Sequence, residues 1–155
     1  MKLKVFRIRP DAKMPVRAHK TDAGMDLFYC PNGDKKLYDD TKSFHLPPGE
    51  SRLIPTGLKV EVPEDHMLEI KNKSGVAYKK QLVVGACVVD CGYDGEVYVN
   101  LHNIGQATQV LEPGQKVAQA VLIPIVTCDL EESLDDTLNQ AASRGTGGFG
   151  STGDK

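Results

Sequence analysis

Residues 83–103 read VVGACVVDCGYDGEVYVNLHN, and their reading decides the fold. Val83–Asp90 is a run rich in β-branched residues. Asp94-Gly95 follows as a turn signal, and Glu96–Asn103 alternates apolar Val97, Val99 and Leu101 with Tyr98, Asn100 and His102. Two such runs about an Asp-Gly turn predict a β-hairpin. Outward from it the same rhythm continues. Lys4–Arg9, Arg52–Pro55, Leu58–Val62, Met67–Lys71 and Lys116–Val126 are short strand candidates. The breaks between runs include Pro47-Pro48-Gly49, Pro55-Thr56-Gly57 and Glu112-Pro113-Gly114. Many short strands with tight turns predict an all-β sandwich or jelly roll.

Helix is expected in one place, a single turn from Ser74 through Ala77 to Lys80. Leu130, Leu134 and Leu138 have helical spacing beside acidic residues, a pattern that also suits an extended connector.

The chain of 155 residues has the length of one ordinary domain. Its hydrophobic fraction of 40%, counted without 15 glycines, excludes wholesale disorder. A domain of this size closes its core without staples. Cys30, Cys87, Cys91 and Cys128 form no C-x-x-C pair and have no clustered His, which argues against a zinc site or a redox dithiol. On one extended strand Cys87 and Cys91 would sit roughly 13 Å apart, beyond disulfide reach. Four reduced thiols point to a cytoplasmic location. No apolar run follows the basic N-terminus as in a secretory signal, and no stretch reaches the length of a membrane span. The net charge is -2, with bases concentrated in residues 1–20 and acids in residues 129–136. Lys2, Lys4, Arg7 and Arg9 intersperse with Leu3, Val5 and Ile8 like the wet face of a strand, so direct nucleic-acid binding is not expected.

Several segments carry chemistry-bearing residues. In VVDCGYDGEV, Asp90 ends an apolar run, either as the last exposed residue before a turn or as a base in a cleft. Asn72-Lys73-Ser74-Gly75 sets a cation and a hydroxyl at a strand-to-helix junction, where free amides attract phosphate. In Ala23-Gly24-Met25-Asp26-Leu27, the acid is a turn carboxylate or supports a metal-bound phosphate through water. Residues 144–153, RGTGGFGSTG, have five glycines in ten and cannot pack on themselves. They read as a linker, or as a lid whose amides close on an anion while Phe149 stacks on something flat.

In order, AGMDL, NKSGVA, VVDCGYDGEV, GQKVAQ and RGTGGFGSTG resemble the five motifs of the trimeric deoxyuridine triphosphate nucleotidohydrolases, the dUTPases, and span Ala23 to Gly153. The resemblance implies a β jelly roll assembled as a homotrimer. Residues 1–143 would form the β domain and 144–155 a C-terminal arm closing a neighbour's site. It implies hydrolysis of dUTP to dUMP and pyrophosphate, with Mg²⁺ on the triphosphate, and so a limit on uracil entering DNA. Asp90 matches the carboxylate that activates water. Tyr93 matches the ring beneath the deoxyribose that leaves no room for a 2′-hydroxyl. Cys87, Val88 and Tyr98 fall where uracil is read, largely by backbone. Lys73, Ser74, Gly75, Gln119, Arg144, Gly150, Ser151 and Thr152 fall where phosphates are bound, Phe149 where the uracil is stacked, and Asp26 near the metal, acting through water.

Two positions depart from the family pattern. Lys73 stands where Arg is usual, and Gln115-Lys116 where Asp-Arg is usual; Lys keeps the charge but loses the planar fork. The second change points to an altered structural ion pair rather than altered chemistry. Two rival functions are a trimer that senses nucleotide and binds a partner protein without catalysis, and a dCTP deaminase relative. The deaminase needs a glutamate-centred chemistry that these motifs do not supply.

Overall fold

The computed structural model describes residues 1–33, 42–134 and 138. Eleven strands and one helix follow in order: β1 (Lys4–Arg7), β2 (Met25–Phe28), β3 (Phe44–Leu46), β4 (Ser51–Pro55), β5 (Leu58–Glu61), β6 (His66–Lys71), α1 (Ser74–Lys80), β7 (Leu82–Val84), β8 (Val88–Val89), β9 (Tyr98–Asn103), β10 (Gln109–Leu111) and β11 (Lys116–Pro124). They form four small antiparallel sheets, ordered β1-β5, β10-β3, β2-β11-β6-β8 and β4-β9-β7. The result is the expected all-β, jelly-roll-like architecture around one core, in which Leu46, Ile54, Leu58, Val99, Leu101 and Leu111 are fully buried. No helix among the described residues is long and apolar enough to cross a membrane.

Strands whose side chains alternate between core and water match the sequence expectation closely. In β9 the pattern of half-buried and buried residues runs strictly in and out. Val83–Asp90 differs, because the chain pairs with β9 through β7 and then with β6 through β8, changing sheets between. Gly85 makes the change: its N–H donates to the Asn100 carbonyl at 2.9 Å, and a Cβ there would overlap the His102 and Asn100 side chains. The Asn100 side-chain oxygen then accepts from the Ala86 N–H at 3.0 Å. β2, β3 and β10 were not expected as strands. β2 is buried at all four positions, so it carries no alternation to read.

Helix α1 lies where a short turn was expected, and only Val76 of its residues is buried. Lys79 and Lys80 sit in its last turn, where cations suit the helix dipole. Residues 127–133 form no helix, and Leu130 and Leu134 are exposed, so this half of the acidic leucine segment is a connector.

β8 and β9 do not pair with each other as a tight hairpin about Asp94-Gly95 would require, because they belong to different sheets; the loop between them is fastened by a part-buried ion pair. Arg9 Nη1 donates to Glu96 Oε2 at 3.0 Å, its Nη2 meets Oε1, and the same Nη2 donates to the Cys30 carbonyl at 3.1 Å. The Gly57 N–H donates to Glu96 Oε1 at 2.7 Å. With only 11% of its side chain exposed, Glu96 pays a desolvation cost that raises its pKa. The Arg9 guanidinium and the Gly57 amide outweigh this and hold the carboxyl below its ordinary 4.5.

Glu96→Gln leaves the part-buried Arg9 without its counter-ion and is expected to cost about 1.5–3 kcal/mol at neutral pH in urea unfolding. Because the native Glu96 pKa is depressed, its stabilisation is present above the ordinary value and is lost as pH falls through the lowered one. The stability gap between wild type and variant should therefore narrow well below pH 4.5. An equal gap at neutral and strongly acid pH would contradict this account.

Candidate active site

Two concavities collect the described residues singled out by sequence, with the exception of Ser74 and Gly75. The first, of about 270 Å³, is lined by Cys87, Val88, Asp90, Tyr93, Tyr98 and neighbours that include Asn100 and Ile70. The second, of about 590 Å³, is lined by Gly24, Asp26, Asn72, Lys73 and Gln119, together with Asp22 and Lys71. A larger hollow of about 710 Å³ beside β1 and β5 is bordered by Tyr93 but holds none of the other expected site residues.

Asp90 follows β8 directly and is exposed, and its carbonyl accepts from the Tyr93 N–H at 3.3 Å. Asp90 thus opens the turn and also lines the cavity wall. The Tyr93 hydroxyl donates to the Glu96 carbonyl at 3.0 Å, which tethers a half-exposed ring across the loop. Burial and the adjacent Glu96 carboxylate push the Tyr98 phenol up, and Tyr98 also bonds Asn32. Tyr98 therefore joins this cavity to the Arg9–Glu96 pair. Cys87 is half-buried and its carbonyl accepts from the Ile70 N–H at 2.7 Å, while Val88 pairs opposite Glu69.

In the second cavity, antiparallel pairing of β2 with β11 sets Gln119 opposite Asp26. Asp26 is 5% exposed, which makes it a buried carboxylate on the edge strand of its sheet. Lys73 Nζ donates to its Oδ1 at 2.8 Å, and Lys116 Nζ lies 2.6 Å from Oδ2. Each oxygen of the Asp26 carboxylate thus has its own ammonium partner. Burial alone would raise the Asp26 pKa; Lys116 and Lys73 together overcome it and lower it below 3.8. The altered ion pair expected at Gln115-Lys116 is thus a pair between Lys116 and Asp26. Gln115 serves the preceding turn, its Oε1 accepting from the Glu112 N–H at 3.1 Å.

Ser74 and Gly75 begin α1 and are exposed, outside the lining of either cavity. Lys73 is the residue before the helix, with extended backbone; its side chain holds only N–H donors, cannot cap the helix amides, and turns one of them to Asp26. The Lys73 carbonyl accepts from the Val76 and Ala77 N–H groups, both at 2.9 Å, so the amides of Ser74 and Gly75 have no helical acceptor. The expected residues Arg144, Phe149, Gly150, Ser151 and Thr152 lie outside the described residues.

Two contributors were missed. Asn72 accepts from the Gln119 side-chain amide through its carbonyl at 2.9 Å and from the Val84 N–H through Oδ1 at 2.7 Å, so it joins β11 to the loop before α1. Its place before Lys-Ser-Gly was a turn signal that could have marked it. Gly24 has no room for a side chain, because a Cβ would overlap the Gln119 amide. Its role shows only once β11 is in place.

A metal would find no cage here: among the described residues no three His, Cys, Asp or Glu side chains are grouped to hold an ion. The donor set fits Mg²⁺ carried on phosphate oxygens rather than caged by side chains.

Comparison with known proteins gives one consistent result. The dUTPase family model matches residues 10–153. A deoxyuridine 5′-triphosphate nucleotidohydrolase of Gloeothece citriformis (strain PCC 7424) is 38% identical over 157 residues, covering 99% of this chain and 97% of that protein. The Staphylococcus bacteriophage 80alpha dUTPase with dUpNHpp superimposes with a TM-score of 0.83 at 28% identity, covering 98% of each chain. A mutant dUTPase from phage phi11 of S. aureus, described as revealing the coordination of a structural Mg(II) ion, has a TM-score of 0.75 at 27% identity, over 88% of this chain and 99% of that one. Agreement across nearly the full length, in sequence and in backbone, shows that the chain belongs to the dUTPase family.

Proposed function

We propose that this chain hydrolyses dUTP to dUMP and pyrophosphate, with Asp90 as the base that activates water. The observation that carries the assignment of roles is the lining of one cavity by Asp90, Tyr93, Cys87, Val88 and Tyr98. At about 270 Å³ it suits a pyrimidine and its sugar, the lower end of ligand-pocket sizes. Hydrolysis adds water across the α–β phosphoanhydride. One proton passes to the Asp90 carboxylate, and pyrophosphate leaves with the electrons of the broken P–O bond.

Tyr93, tethered through its hydroxyl, presents a fixed ring to the sugar and excludes a 2′-hydroxyl. Cys87 and Val88 offer backbone to the base, with the Cys87 carbonyl already shared with Ile70. Lys73, the open amides of Ser74 and Gly75, and Gln119 form the phosphate side. Mg²⁺ on the triphosphate supplies charge neutralisation and orients the phosphates. With Mg²⁺ bound, Asp26 would act on it only indirectly, through water.

The nucleoside side and the phosphate side line separate concavities of one chain. This supports a homotrimer in which cavities of different protomers face one another. Residues 144–155 act as the closing arm, with Arg144, Gly150, Ser151 and Thr152 on the phosphates and Phe149 stacked on uracil. Such stacking is worth about 1–3 kcal/mol. The four free thiols support a cytoplasmic location.

The test is pyrophosphate release from dUTP with Mg²⁺, alongside dCTP, dTTP and UTP. Asp90→Asn is expected to lower kcat by about 10²–10⁴-fold with dUTP still bound. Unchanged turnover would remove Asp90 from its role. dUTP binding without turnover by the wild type would instead favour a nucleotide-sensing trimer.

Tyr93→Ala is expected to reduce discrimination against UTP by on the order of 10²-fold, read as the ratio of kcat/KM values. Equal discrimination in variant and wild type would place sugar selection elsewhere.

A further inference from the structure

We infer that Lys116 is a positioning residue for the triphosphate: by neutralising Asp26 it leaves the charge of Lys73 available to the substrate. This deepens the proposed dUTP hydrolysis and rests on that reading. The starting point is a count of charges in one small volume. One buried carboxylate, Asp26, faces two ammonium groups, Lys73 at 2.8 Å and Lys116 at 2.6 Å, on its two different oxygens. One cation suffices to compensate one carboxylate, so the trio carries a surplus positive charge.

Geometry decides where that surplus is offered. Lys73 borders the cavity that also contains Gly24, Asn72 and Gln119, and its side chain is 31% exposed. Lys116 does not line that cavity. It stands opposite Phe28 on β2, two residues from Asp26, next to a register shift between Lys116 and Ala118. Lys116 therefore reaches Asp26 from the sheet, while Lys73 reaches it from the loop before α1.

Without Lys116, the Lys73 ammonium would be the sole partner of a buried carboxylate, its charge cancelled by Asp26 before any phosphate arrived. With Lys116 in place, Lys73 can keep one N–H on Asp26 and direct its others to a phosphate oxygen. The pairing of two lysines on one acid also explains how the chain works without arginine at position 73. An ammonium is a compact point charge with freely rotating donors, suited to being shared between two anions.

The experiment compares Lys116→Met, Lys116→Arg, Asp26→Asn and the Asp26→Asn Lys116→Met double variant. Each is read by KM and kcat for dUTP, by calorimetric binding of inorganic pyrophosphate, and by thermal melting. Lys116→Met is expected to raise KM and weaken pyrophosphate binding by about 10–100-fold, with kcat changed much less. Lys116→Arg restores most of the loss. In the Asp26→Asn background the same Lys116→Met change should have almost no effect, because no carboxylate remains to be neutralised.

An equal loss in both backgrounds would overturn the proposal by showing that Lys116 acts on phosphate directly. So would unchanged KM and pyrophosphate affinity with only a lowered melting temperature. Should Asp26→Asn fail to fold, the Met and Arg variants at position 116 decide through the split between KM and kcat. A wild type that does not turn over dUTP would refute the functional reading, while the pyrophosphate affinities would still settle the role of Lys116.

Discussion

The carboxylate of Glu96 is the joint on which the loop between β8 and β9 hangs. It receives the Arg9 guanidinium from the segment after β1, the Gly57 amide from the turn between β4 and β5, and the Tyr98 phenol from β9. A charged group this deeply placed is tolerated only when its acceptor sites are filled, and here donors from three directions fill them. Its backbone carbonyl also holds the Tyr93 hydroxyl. Residues 9, 57, 93, 96 and 98 are thus joined in one hydrogen-bonded group, and the cavity wall carrying Asp90 is anchored to two sheets through it.

The second centre works on the opposite economy. At Glu96 one cation meets one anion and the charge is closed. At Asp26 two cations meet one anion and the charge is left open toward a cavity. A closed pair gives position without reactivity; an open one gives affinity for an anion. The two centres serve different concavities, one lined by Tyr93 and Tyr98 and one bordered by Lys71 and Lys73. Between them, Asn72 ties the loop before α1 to β7 and β11, so the phosphate side inherits the rigidity of the sheets.

Much of this was legible from residue order. β4, β5, β6, β9 and β11 fall close to their expected bounds; β5, β9 and most of β6 alternate between core and water, while β4 and β11 are marked by β-branched content and the turn residues around them. β2 left no such trace, being buried throughout, and β3 and β10 are only three residues long. The single run read over Val83–Asp90 became two strands because a strand's partner is set by tertiary pairing, and Gly85 alone hinted at the change. The acidic leucine spacing leaves helix and connector open, and among the described residues, 127–133 are not helical, with Leu130 exposed.

By itself the sequence determined the class and the family. Alternation and turn residues specify an all-β chain through local stereochemistry, and five ordered motifs are a linear property that needs no coordinates to be seen. It also exposed the two departures at Lys73 and Gln115-Lys116. What those lysines do was decided only by tertiary structure. Antiparallel pairing of β2 with β11 and the loop before α1 bring residues 26, 73 and 116 together, and burial of the carboxylate between them turns three surface-type charges into one coupled group. Electrostatic interaction depends on distance and burial, and neither is written in residue order.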